Sequence, residues 1–230
     1  MSTQDSKEIP AMLIAGGRSS RDPDAMKRMV SYAFGGLEKP RIAYIGTANE
    51  DSLPFFQMMK LTLKRAGAGT VVLLRLAREK PNLDAAKEIL AQSDIIFLSG
   101  GEVEDGMLWL NKHSLVPFLR DLYTQGKRFI GVSAGVIMLG NRWVRWDKPG
   151  DDETAQLFDC LGIIPALFDV HGEDEDWVEL KTALKLMGNG ARGYALPSGC
   201  LISANSQGTL VNLEKEYLVF ANQGGQIRME

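Results

Sequence analysis

Residues 128–135 read Arg128-Phe129-Ile130-Gly131-Val132-Ser133-Ala134-Gly135, and this octet decides the fold. Its opening (RFIGV) is an apolar run of strand length that leads straight into a serine between small neighbours. The pattern G-x-S-x-G, closing a strand and opening a helix, takes the chain round a sharp turn. Only small residues on either side leave room for that turn. The serine hydroxyl then projects at the carboxyl end of a strand, where open α/β sheets hold their ligands. The following helix aims free backbone N–H groups at the same spot. The plainer alternative is an ordinary strand–glycine–helix turn with an incidental serine.

Upstream, the same alternation repeats. Residues 11–15 (AMLIA), 41–45 (RIAYI), 70–74 (TVVLL) and 94–98 (DIIFL) are short apolar runs, and helical patterns cover 24–34, 53–66, 83–91 and 115–123. Strands that are apolar throughout, alternating with helices, indicate an α/β protein with a mostly parallel sheet and helices on both faces. Downstream the pattern changes. Residues 141–152, with Trp143, Trp146, Pro149 and Gly150, read as an irregular excursion. Residues 166–170 read as a strand, and 177–187 as a helix behind the acidic run Glu173-Asp174-Glu175-Asp176. From Gly193 to Phe220 short strands follow (YAL, CLISA, TLVNL, EYLVF), expected to form hairpins that finish one side of the sheet. Without a repeat, low-complexity tract or linker, the expectation is one domain over residues 1–230.

The chain has 230 residues, 45% of them hydrophobic and 24% charged, which suits a globular protein with a substantial core. A net charge of -3 gives no electrostatic reason to bind nucleic acid or an anionic membrane. Residues 1–10 are polar, contain Asp5 and Glu8, and lack the apolar core of a signal peptide. No apolar run approaches the ~20 residues that cross a bilayer. The expected location is cytoplasmic. Cys160 and Cys200 show neither metal-ligand nor redox spacing and read as buried thiols. With His113 and His171 as the 2 histidines and no HExxH pattern, no metal site is expected.

A serine nucleophile needs a base. His171 is the better candidate, because it follows the apolar segment 166–170 at a strand end. His113 lies in the polar stretch 111–114 and is expected to be exposed. Ser99-Gly100-Gly101 closes the strand before the serine strand, so its loop can lie beside the turn. The N–H of Gly101 with that of Ala134 could then form an oxyanion hole; the alternative is a glycine turn chosen for its backbone angles. Ala15-Gly16-Gly17-Arg18 raises nucleotide binding, but it lacks both G-x-G-x-x-G and the P-loop lysine pattern.

The set SGG, then GVSAG, then His171 beyond the serine, with the late segment 193–199 (GYALPSG), resembles the dipeptidase E and cyanophycinase group of serine peptidases. The resemblance covers nearly the whole chain. It implies a fold like class I glutamine amidotransferases, of flavodoxin-like architecture, with serine in place of cysteine. It implies hydrolysis of a peptide bond next to an aspartyl residue, without metal or cofactor. Ser133 then matches the nucleophile, His171 the base, and Gly101 and Ala134 the oxyanion hole. Asp147 falls where the dipeptidase branch has an acid credited with a charge-relay role. Gly100, Glu102 and Ser198 fall at substrate-binding positions. The implied partner is a small peptide, with a homodimer among the assemblies left open.

This sequence departs from the family pattern at three places. The late acid of L-P-E-G or I-D-E-G is replaced by Ser198 in Leu196-Pro197-Ser198-Gly199. A neutral serine can fix the tautomer of a histidine but cannot stabilise an imidazolium by charge. The usual G-G-N is Gly100-Gly101-Glu102, and the usual arginines after the histidine are Glu173, Asp174, Glu175 and Asp176. These departures leave a second reading open, a catalytically impaired or inactive member that binds a small ligand in the same cleft. The acidic run is either a solvated helix start, where acids complement the dipole, or part of a pocket that disfavours acidic substrates and attracts an amine or guanidinium. In the first case Arg142, Arg145 or Lys148 is left to bind a carboxylate.

Overall fold

The computed structural model describes residues 9–16, 22, 24–148 and 151–230. Asp5 and Glu8, Gly17 and Arg18 of the first glycine loop, and Pro149 and Gly150 lie outside the described residues.

Five parallel strands make up one side of a seven-stranded sheet, out to its edge. They are β1 (Ala11–Ile14), β2 (Arg41–Ile45), β3 (Thr70–Leu74), β4 (Ile95–Leu98) and β5 (Arg128–Val132). With β10 (Leu201–Ala204) and β11 (Leu210–Glu214) added antiparallel beyond β1, the order is β11-β10-β1-β5-β4-β2-β3. Successive side chains of a strand point to opposite faces, and here both faces are covered. Along β1, Ala11 and Leu13 enter one apolar core while Met12 and Ile14 enter the other. Along β2, Ala43 and Ile45 part from Ile42 and Tyr44 in the same way. That double burial is why these strands carry no polar alternation.

Helices flank the sheet: α1 (Ala25–Ala33), α2 (Leu53–Arg65), α3 (Leu83–Gln92), α4 (Val103–Lys112), α5 (Val116–Thr124), α6 (Ala134–Leu139) and α7 (Val178–Met187). The sequence reading had no helix at α4. Gly106 interrupts its pattern, yet a Cβ there would meet Met138 Sδ at 2.7 Å, so glycine lets α4 pack on α6. His113 ends α4 and is 8% exposed, which corrects the expectation of an exposed side chain. Its Nε2 lies 2.9 Å from the Leu76 carbonyl oxygen, and its ring stacks on Trp109.

Within the stretch expected to be irregular, Arg142–Trp146 form a strand. β6 (Arg142–Trp146) pairs antiparallel with β7 (Ala155–Asp159). The late strands do not all finish one sheet. β8 (Leu167–Val170), β9 (Arg192–Leu196), β12 (Leu218–Gln223) and β13 (Gln226–Met229) form a separate four-stranded sheet in the order β13-β12-β9-β8. β8 nevertheless stays close to the helix that begins after Ser133. A Cβ on Gly140, just past α6, would meet the Ala166 carbonyl oxygen at 2.7 Å, so glycine permits the approach. Among the described residues, no helix is long and apolar enough to cross a membrane.

Candidate active site

Ser133 sits between the end of β5 and the start of α6 with φ 54° and ψ -123°, a conformation that costs a non-glycine residue about 1–3 kcal/mol. Its neighbours explain how the turn is tolerated. A Cβ on Gly131 would meet the Gly135 carbonyl oxygen at 2.5 Å, and one on Gly135 would overlap the Leu98 carbonyl. The Ser133 N–H donates to the Ile14 carbonyl at 3.0 Å, tying the turn to β1.

Ser99-Gly100-Gly101 lies directly against this turn. A Cβ on Gly100 would meet Ser133 Cβ at 3.0 Å and Oγ at 3.4 Å, while Gly101 has φ +141 and no room for a Cβ beside the Ala48 carbonyl. Asn49 holds the loop, donating from Nδ2 to Ser99 Oγ at 2.7 Å and to the Gly100 carbonyl at 2.8 Å. Among the described residues, the N–H groups of Gly101 and Ala134 donate to nothing. The Glu102 N–H donates to the Ala48 carbonyl at 2.6 Å, and the residue sits just before α4 and lines the cleft.

His171 follows β8 with φ 47°, its N–H bonded to the Leu196 carbonyl at 3.1 Å. Its Nε2 is 2.8 Å from Ser133 Oγ. Its Nδ1 is buried and has no hydrogen-bond partner among the described residues. Burial holds the imidazole below its ordinary pKa, with the Glu173 charge pulling weakly the other way. A neutral ring is the form that can accept a proton.

The two groups expected to support the ring do not reach it. Asp147 sits on the exposed β6–β7 hairpin, where its carboxylate accepts from Gln156 Nε2 at 2.9 Å. At Ser198 the backbone N–H donates to Glu173 Oε1 at 2.6 Å and the carbonyl accepts from Lys215 Nζ at 2.8 Å. Neither Asp147 nor Ser198 lines the cleft.

Ser133 and His171 open onto a cleft of about 560 Å³, bordered by Gly101, Ala134, Trp143 and Trp146 among others. The run Glu173–Glu175 with Asp176 is exposed and lies outside it. Asp176 pairs with Lys181 at 2.7 Å. The acids that do line the cleft are Glu102, which the family resemblance puts at a substrate-binding position, and Glu104, Asp152, Asp169 and Glu179, which the sequence does not single out. Asp169, on β8, is 5% exposed, and burial pushes its carboxyl up to about 7, with the Glu179 charge adding to the shift. Burial also raises Glu179, helped by Glu175 and Glu102 and opposed by a hydrogen bond from Trp143. Arg142 is tied to Asp159 at 2.9 Å and Arg145 to Glu104 at 3.1 Å. Among the described residues, no group of three or more His, Cys, Asp or Glu is placed to hold a metal ion.

Known proteins show the same architecture. A peptidase of Listeria monocytogenes EGD-e, provisionally assigned to peptidase E, superposes with a TM-score of 0.64 at 15% identity, covering 90% of this chain and 98% of that one. A peptidase from an acI-B1 Actinobacterium superposes with a TM-score of 0.67 at 18% identity, covering 96% of this chain and 93% of that one. These likenesses carry the fold alone. In sequence, the Bacillus subtilis (strain 168) protein described as the uncharacterized peptidase YgaJ is 25% identical over 174 residues, 74% of this chain and 70% of its own length. The model of peptidase family S51 matches residues 11–211, and on that match the chain belongs to family S51, the family of dipeptidase E.

Proposed function

We propose that this member of a peptidase family is a serine-type hydrolase of small peptides, with Ser133 as nucleophile and His171 as general base. The observation that carries the reading is the 2.8 Å approach of His171 Nε2 to Ser133 Oγ in the wall of the cleft. His171 Nε2 takes the hydroxyl proton as Oγ attacks the scissile carbonyl. The oxygen of the tetrahedral intermediate turns toward the unengaged N–H groups of Gly101 and Ala134. His171 then returns its proton to the leaving amine. A water deprotonated by the same nitrogen releases the acid and frees the serine.

One feature of the ring limits the rate. With Nε2 as the base, the neutral imidazole keeps its proton on Nδ1, and that N–H finds no acceptor among the described residues. Loss of a correctly placed acid can cost roughly 10⁴ in rate in a well-studied triad. The same observation favours a second reading, a weakly active or inactive member that holds a small ligand in the cleft.

Turnover of a dipeptide library by the purified protein and by Ser133→Ala separates the two. The hydrolase reading expects slow release of free amino acids by the parent and none by the variant. Equal release by both would overturn it. Release by neither would favour the ligand-binding reading.

A further inference from the structure

Outside the Ser133–His171 pair, the described residues of the cleft walls carry five acids and one arginine. Asp169 lies on the strand that delivers His171 and is nearly fully buried. Its Oδ1 accepts the Val170 N–H at 2.7 Å, the Leu180 N–H also favours its charged form, and among the described residues no basic side chain pairs with it. Glu179 faces the cleft from α7, and Glu102 from the residue after Gly101. Among the described residues, neither has a salt-bridge partner. Among the described residues, the one arginine that lines the cleft, Arg145, pairs with Glu104. Asp152, near the mouth, accepts from Trp146 Nε1 at 3.4 Å.

Carboxylates brought together away from water repel one another and are costly to ionise. A cation between them would relieve both effects. A bound carboxylate would meet like charge from these acids, and its one opposite charge among the described lining residues would be Arg145, which Glu104 already partly neutralises. Trp143 and Trp146 add aromatic surface to the same walls, the kind of surface that suits a cation.

We propose that the cleft binds peptides bearing a positive charge beside the scissile carbonyl, held by Asp169, Glu179 and Glu102. The charge comes either from the peptide's own α-ammonium group or from a lysyl or arginyl side chain. The proposal deepens the reading of Ser133 and His171 as the reacting pair, and it replaces the exposed acidic run after His171 with different residues as the source of specificity.

Calorimetric titration of Ser133→Ala tests it without needing turnover. The probes are the amides of lysyl-alanine, norleucyl-alanine, their N-acetyl forms, and N-acetyl-aspartyl-alanine. At least one cationic probe should bind ten times or more tighter than N-acetyl-norleucyl-alanine amide, which has the same bulk and no charge. Retention of tight binding by N-acetyl-lysyl-alanine amide assigns the side chain as the source. Equal binding of free lysyl and norleucyl peptides, lost on acetylation, assigns the α-ammonium. In a Ser133→Ala, Glu179→Gln background the cationic advantage should fall at least severalfold. Equal binding of all probes, tightest binding of the aspartyl probe, or binding of none overturns the proposal. Fluorophosphonate labelling of the parent protein keeps the two readings apart. A cation preference in Ser133→Ala with no labelling of the parent would remove Ser133 as nucleophile and leave the cation site standing.

Discussion

The Glu173 carboxylate accepts the backbone N–H of Ser198 at 2.6 Å, so an acid from the segment after His171 stands at the very residue where the family pattern places one. It is also the charge that raises the His171 pKa against burial. Glu173→Gln keeps an oxygen for the Ser198 N–H and removes the charge. The imidazole should then lose its proton more readily, moving the acid limb of the kcat/KM profile to lower pH by a fraction of a unit. A limb that stays put would show that Glu173 acts on the Ser198 backbone alone.

The acid limb of the parent protein has a predicted position. Burial lowers the His171 pKa below its ordinary 6.5, and the base acts in its neutral form. With a saturating substrate that carries no positive charge, kcat should therefore hold constant as pH falls until it passes below 6.5, and only then decline. A pH–rate profile already falling by half above 6.5 would contradict the desolvated environment described here.

Asp169 makes a prediction about stability. Its pKa is about 7 in the folded state against 3.8 for a free side chain, so the folded protein holds more protons between those values. The sign follows: stability declines as pH rises through that window, and the loss is complete above about 7. Asp169→Asn should remove this cost, stabilising the protein by about 1–3 kcal/mol at pH 8 and by little near pH 4. Urea unfolding at the two pH values checks it. Equal effects at both would mean that the carboxylate is not the cause.

Gly100→Ala probes the space beside Ser133. The added Cβ would stand 3.0 Å from Ser133 Cβ and 3.4 Å from Oγ. Gly100 lies outside the positive-φ region, so backbone strain is not added. The variant should fold with a melting temperature within a few degrees of the parent and lose about 10–100-fold in kcat/KM, since small misplacements of a reacting group are costly. Unchanged kcat/KM would show that Ser133 gives way without loss.

These tests bear on how much could be read from residues alone. The strands from Ala11 to Val132 were legible because burial on both faces erases polar alternation, and the serine turn because Gly131 and Gly135 are sterically required. α4 was hidden by Gly106, a residue chosen for its contact with Met138 rather than for helix propensity. β6 and β7 were hidden by the turn residues between them, and His113 by polar neighbours that say nothing of Leu76. The approach of His171 to Ser133 across two different sheets is a tertiary fact. So is the convergence of Asp169, Glu179 and Glu102 on one cleft. Local pattern placed these acids in a strand, a helix and a loop, with no sign that they face one another.

The central claim is that Ser133 attacks with His171 as its base, and covalent trapping tests it most directly. The parent protein and His171→Ala are incubated with a small fluorophosphonate that fits a cleft of about 560 Å³, and adducts are located by intact mass and peptide mapping. The account predicts one adduct per chain, on Ser133, formed at least a hundredfold more slowly in His171→Ala. An adduct on another residue, or equal labelling of Ser133 in the two proteins, would contradict it.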